Sequence, residues 1–209
     1  MFIPPPSGGS FTPVPAGNHV AICYRFIDLG TQKGEYKGKP KQDRKVIISW
    51  ELPDELMGEG DYAGQPFTIG NRYTWSMSEK ATLRKMLESW RNKPFTKDDF
   101  EGQNRFNIKN ILGKPCMLNV SQKTTDGNVY SNIASVGSLP KGMAPPALTN
   151  EIVYFSLEPS LYDPAVLEKF SDKIKETIRL SPEWQEVSGQ KPSASYQGDP
   201  RDLDDEVPF

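Results

Sequence analysis

Three strand-like runs, one amphipathic helical run and a glycine-turned hairpin follow one another in this 209-residue chain. That order predicts a mainly β fold: a five-stranded OB-type Greek-key barrel with its helix between strands 3 and 4, a C-terminal helical extension and a disordered acidic tail. A small β-sandwich could use the same strands, but it would not need an amphipathic helix at that point.

The elements read as follows. Residues 1–17, rich in proline, glycine and serine, form an extended lead-in. HVAICYRFIDLG (19–30) is a first strand, rich in β-branched and aromatic residues and closed by glycine. TQKGEYKGKPKQD (31–43) is a long polar loop or hairpin arm. RKVIISWELP (44–53) is a second strand, with Val46, Ile48, Trp50 and Leu52 on one face and Pro53 at its end. NRYTWSMS (71–78) is the third, with Tyr73, Trp75 and Met77 on one face. Ser78 is placed to cap a helix running to about Trp90, in which Leu83, Met86, Leu87 and Trp90 make a buried stripe. A short helical turn falls near FNIKNILG (106–113). Residues 114–137 hold two alternating runs around Asp126 and Gly127, a strong hairpin signal. The barrel domain thus spans 18–137.

Residues 138–150 read as a linker, and EIVYFSL (151–157) as an added edge strand. In 163–184, Asp163 caps ahead of Pro164 and Ser171 caps again, so the segment reads as a helical pair. Val166, Leu167, Phe170, Ile174 and Ile178 form its apolar stripe. So short a pair cannot bury that face alone, so the 151–188 extension is expected to pack on the barrel. Disorder is expected over 189–209.

Hydrophobic content is 36%, with 19 prolines and 17 glycines, which assigns much of the chain to loop or tail. There is no apolar run long enough to span a membrane and no basic-then-apolar leader. Two cysteines, Cys23 and Cys116, make no disulfide framework, and a cytoplasmic location is expected. Charge is segregated. Residues 18–141 carry 19 Lys and Arg against 14 Asp and Glu, whereas residues 181–209 carry 2 against 7. A basic body points to an anionic partner.

Catalysis is poorly supplied. His19 is the only histidine, and on a strand it would stand roughly 13 Å from Cys23, too far to share a metal ion. No paired-cysteine, phosphate-loop, dinucleotide or zinc-protease motif occurs. Neither an enzyme nor a cofactor or metal is expected. Binding is better supplied. Lys33, Lys37, Lys39, Lys41, Arg44 and Lys45 cluster around Tyr36, next to strands carrying Tyr24, Arg25, Phe26, Arg72, Tyr73 and Trp75. Lys123 adds a cation on the later hairpin. Single-stranded nucleic acid needs this combination, cations for the phosphates and rings for the unpaired bases. Alternation assigns Trp50 and Trp90 to the core. It leaves open whether Tyr24, Phe26, Tyr73 and Trp75 face a groove or the barrel interior.

The final residues, Asp204, Asp205, Glu206, Val207, Pro208 and Phe209, put an apolar ring on a charged string. This ending resembles the tails of bacterial single-stranded DNA-binding proteins, which typically close on Asp-Asp-Asp-Ile-Pro-Phe; Glu for Asp and Val for Ile are the departures. The body differs from the bacterial proteins. From about Phe11 to Trp184, including FTPVPAGNHVA, RKVIISWELP, KATLRKMLESWRNKPF and SDKIKETIRLSPEW, it is similar to phage-encoded OB-fold single-stranded DNA-binding proteins found with replication and recombination functions. The resemblance implies sequence-independent binding of single-stranded DNA in phage replication, recombination and repair, within the host cytoplasm. It also implies that the six-residue tip docks on host or phage replication and repair enzymes, Phe209 entering an apolar pocket rimmed by basic residues. A strand-annealing protein, or a replication adaptor that does not grip DNA, are the alternative readings. The sequence leaves RNA binding and a homo-oligomeric state open.

Overall fold

The computed structural model describes residues 12–102 and 105–189. Its strands are β1 (Gly17–Tyr36), β2 (Lys39–Leu56), β3 (Pro66–Thr74), β4 (Pro115–Thr125), β5 (Asn128–Gly137) and β6 (Val153–Phe155). Its helices are α1 (Thr82–Arg91), α2 (Pro164–Leu167), α3 (Asp172–Arg179) and α4 (Pro182–Ser188), with 3-10 turns at Lys97–Asp99 and Ile108–Ile111. Five strands form an antiparallel sheet in the order β3-β2-β1-β4-β5, and β6 adds to β1 in parallel. The expected helix after the third strand is present. The expected closed barrel is not: among the described residues no hydrogen-bonded pairing joins β3 to β5, and α1 lies against both.

β1 organises the sheet because it changes partners along its length. Gly17 to Ile22 pair with β4, while Ile22 to Tyr36 pair with β2. On the edge that β4 leaves, β6 pairs with Arg25, Phe26 and Ile27. Between the two, the Cys23 amide donates to the Lys114 carbonyl at 3.1 Å and the Gly113 amide donates to the Cys23 carbonyl at 2.7 Å. Backbone groups along that edge are thereby satisfied as the strand turns from one neighbour to the next.

Two cores lie on the two faces of the β1–β2 ribbon. A register shift between Cys23 and Arg25 lets Ala21, Cys23 and Phe26 all face the first core, with Val46, Ile48, Trp50 and Leu52 from β2. The α1 stripe of Leu83, Met86, Leu87 and Trp90 covers it. Ile27, Leu29 and Ile47 face the second core. Phe155, Leu167, Phe170, Ile174, Ile178 and Trp184 of the C-terminal extension close that side. The extension therefore packs on the sheet as the sequence implies, through three short helices instead of a pair.

Polar contacts tie the extension down. Gly30 sits at φ +70°, and a Cβ there would come within 2.4 Å of the Ser181 Cβ, so only glycine admits α4 this closely. Glu183 accepts from the Thr31 amide at 2.8 Å and from its hydroxyl at 2.6 Å. The 138–150 linker is also anchored. Buried Glu51 accepts from the Thr149 and Asn150 amides at 2.8 and 2.7 Å. Val14, read as part of the lead-in, is a core residue.

Several boundaries differ from the sequence reading. β1 and β2 run far into the segment read as loop or arm. β2 passes Pro53 to Leu56 with an irregular register after Leu52, so proline disturbs the ladder without ending the strand. β3 begins at Pro66, five residues earlier than expected: Phe67 to Gly70 pair with Leu52 to Ser49, and Pro66 pairs with Leu56 beyond the irregularity. Ser78 does not cap α1; its carbonyl accepts from Ala81 in a turn, and Ala81 precedes the helix. Asp163 does cap, accepting from the Ala165 amide at 2.8 Å. Among the described residues no helix is long and apolar enough to cross a membrane.

Candidate nucleic-acid interface

β1 and β2 end in a hairpin arm whose tip is a two-residue turn, Lys37 at φ 52° and Gly38 at φ 76°. Both angles are positive, as a type I′ turn requires, and that turn matches the twist of the two strands. All residues from Lys33 to Gln42 are exposed. The arm carries Lys33, Lys37, Lys39 and Lys41 against Glu35, and Tyr36 is 62% exposed at its end with the Lys37 ammonium 5.4 Å from the ring centroid. At its base, Asp43 pairs with Lys41 at 2.9 Å and Lys45 at 3.6 Å, and Lys45 donates to the Thr74 hydroxyl at 2.8 Å. Arg44 is committed to Asp28.

Beside the arm base stands Trp75, 40% exposed, whose amide donates to the Arg44 carbonyl at 2.7 Å and prolongs β3 by one residue. Its ring meets Phe26 edge-on at 5.7 Å, and Phe26 lies nearly parallel to Tyr154 at 5.4 Å. Lys109, from the Ile108–Ile111 turn, holds its ammonium 4.3 Å from the Tyr154 centroid. At a partly exposed site such a cation–π contact contributes about 0.5–1 kcal/mol. This row of rings runs from β3 across β1 to β6; Trp75 at one end is exposed, and Tyr154 at the other is half-buried beneath Lys109.

Other sequence-predicted contacts do not share this surface. Tyr24, Arg25, Phe26 and Tyr73 are buried. Burial pushes the Tyr73 phenol up to about 12 and raises that of Tyr24. Arg25 donates to the Ser49 hydroxyl at 3.3 Å and lies over the Tyr24 ring, and burial lowers its pKa. These four belong to the packing of the sheet, although Phe26 supports two rings that do reach solvent. Arg72 is half-buried on β3, opposite Ile47. Lys123 is exposed but lies three residues beyond Val120, the partner of Gly17, at the opposite end of β1 from the arm. Residues Asp204 to Phe209, the expected partner-docking tip, lie outside the described residues.

Tyr154 and Lys109 are the residues that sequence reasoning missed. Tyr154 alternates with Val153 and Phe155 inside an apolar run, a signal for a strand with one face turned elsewhere. Nothing local marks Lys109. Its ring partner is 45 residues away in sequence.

The His19 ring is held by the Glu55 carboxylate and the Pro15 carbonyl, each at 2.9 Å. Cys23 and Cys116 are fully buried, and burial raises both thiol pKa values, which keeps them protonated and unreactive. The chain matches no protein-family model, and no curated protein matches it at significant sequence similarity.

Proposed function

We propose that this chain is a sequence-independent single-stranded DNA-binding protein of OB type, serving phage replication, recombination and repair. On this reading the β3-β2-β1-β4-β5 sheet is the barrel of that fold, with α1 filling the opening between β3 and β5. The observation that carries it is the exposed lysine arm rising directly beside Trp75. Cations that follow phosphates and a ring that can stack on a base stand on adjoining strands. The contacts are to backbone and base faces, not base edges, so they carry no sequence preference. The acidic Asp204–Phe209 motif supplies a second activity in this proposal, docking of replication or repair enzymes; Phe209→Ala should abolish their pull-down and leave DNA binding unchanged.

The test is fluorescence anisotropy of the full chain with a labelled oligo(dT), its duplex and the matching RNA, at two salt concentrations. Affinity for the single strand should exceed that for duplex and fall with salt, with a log–log slope of about −0.7 for each phosphate neutralised. Equal affinity for single strand and duplex would overturn the reading.

A further inference from the structure

The Tyr154 ring sits where three separately encoded parts of the chain meet. It belongs to β6 of the C-terminal extension, its support is Phe26 of β1, and the ammonium near it comes from the Ile108–Ile111 turn. Phe26 is buried and lies only 13° from parallel to Tyr154, so the tyrosine rests on a fixed base. The Lys109 ammonium, by contrast, has no carboxylate partner among the described residues, and the residue is exposed. A rigid ring and a loosely held cation thus share one half-buried position.

We propose that Tyr154 is a stacking platform for one base of the bound strand and that Lys109 is its exchangeable lid. A base takes the place of the ammonium over the ring, and the ammonium moves to the adjoining phosphate. The exchange runs toward the base because base–aromatic stacking is stronger than a solvent-exposed cation–π contact, and the displaced cation gains an anionic partner. The ring is already immobilised, so little side-chain freedom is lost when the base arrives. This inference rests on the single-strand reading above and deepens it. It makes the C-terminal extension, through β6, part of the nucleic-acid surface and not only a brace for the sheet.

Anisotropy of oligo(dT) with full-length variants tests each half. Tyr154→Leu should weaken binding about tenfold with the salt slope unchanged, whereas Tyr154→Phe should keep the affinity of the unmodified chain. Lys109→Met should reduce the slope by about 0.7, one phosphate contact. An unchanged slope overturns the lid. Because Tyr154→Leu could disturb β6, the unmodified protein should also be photo-crosslinked to an oligonucleotide carrying 5-iododeoxyuridine. A crosslink mapped to Tyr154 supports the platform. Crosslinks that never reach Tyr154, or a folded Tyr154→Leu chain with full affinity, overturn it while leaving the single-strand reading standing. An unmodified chain that ignores single strands sinks both.

Discussion

Asp28 on β1 accepts the guanidinium of Arg44 on β2, and this pair fastens the arm to the C-terminal extension. The Asp28 carboxylate is almost fully buried, and it also accepts from the amides of Gly30 at 3.0 Å and Leu157 at 3.2 Å. Arg44 is one of the six cations of the Lys33–Lys45 cluster, yet its charge is already in use. Asp28→Asn should cost about 3 kcal/mol, the low end for a broken buried pair because Arg44 keeps some solvent contact. Denaturant unfolding measures it. A loss below about 0.5 kcal/mol, the scale of an ordinary surface substitution, would mean that the pair is not an anchor.

A second carboxylate gives a pH-dependent prediction. Asp99 accepts from the Thr96 amide at 2.8 Å, the Arg91 guanidinium at 2.7 Å and the Thr96 hydroxyl at 3.1 Å, closing the turn after α1. These donors, the Thr96 amide first and Arg91 next, hold its pKa down to about 2 from the usual 3.8. A depressed carboxylate stabilises the fold fully above its unfolded pKa and stops doing so as pH falls through its folded pKa. The melting-temperature gap between the unmodified chain and Asp99→Asn should therefore be full near neutral pH and close as pH drops from about 4 to about 2. A gap that stays constant over that range would show that the carboxylate charge is not what holds the turn.

The local signals that predicted the fold were those with a period. The α1 stripe, the Asp126–Gly127 hairpin and the alternating core of β2 all appear where the sequence puts them, because each depends on neighbours within a few residues. What the sequence could not show is which aromatics reach solvent. Tyr73 and Trp75 share a strand face, but Tyr73 is opposite Val46 under α1, while Trp75 stands past the end of β3 where no layer covers it. β1 was apolar on both faces for a reason seen only in three dimensions: one face packs on α1 and the other on a helical extension more than a hundred residues away. The row formed by Trp75, Phe26, Tyr154 and Lys109 joins four distant segments, so no spacing rule could have assembled it.

The arm predicts a purely electrostatic phenotype. Lys37 sits in its two-residue tip, Lys39 and Lys41 follow on β2, and all three are exposed, away from both cores. Replacing the three with alanine should leave stability within about 0.5 kcal/mol, as for other surface changes. It should weaken binding to all single-strand sequences alike and flatten the salt slope by up to about 2, since each phosphate contact contributes about 0.7. Lys123→Ala, at the far end of β1, should change the slope by less than one contact. An unchanged slope in the triple variant would place the phosphate path elsewhere.

Stacking has a built-in reporter. Of the four tryptophans, Trp50, Trp90 and Trp184 are 0%, 8% and 5% exposed, whereas Trp75 is 40% exposed. Indole fluorescence that responds to added oligo(dT) should therefore come from Trp75, because a base reaches only a ring that meets solvent. Quenching should rise with binding in the unmodified chain and vanish in Trp75→Phe, although that variant should still bind, since phenylalanine also offers a flat face. Trp75→Ala should lose about 1–3 kcal/mol of binding, the value of one stacked base. It should do so at every salt concentration by a similar factor, because stacking releases no counterions. The fold should survive, since the Trp75 ring meets Phe26 by its edge only and the core beneath it belongs to Tyr73, Val46 and Phe26. Quenching that persists in Trp75→Phe would mean that DNA reaches a core tryptophan by reshaping the sheet, and that Trp75 is not the stacking ring.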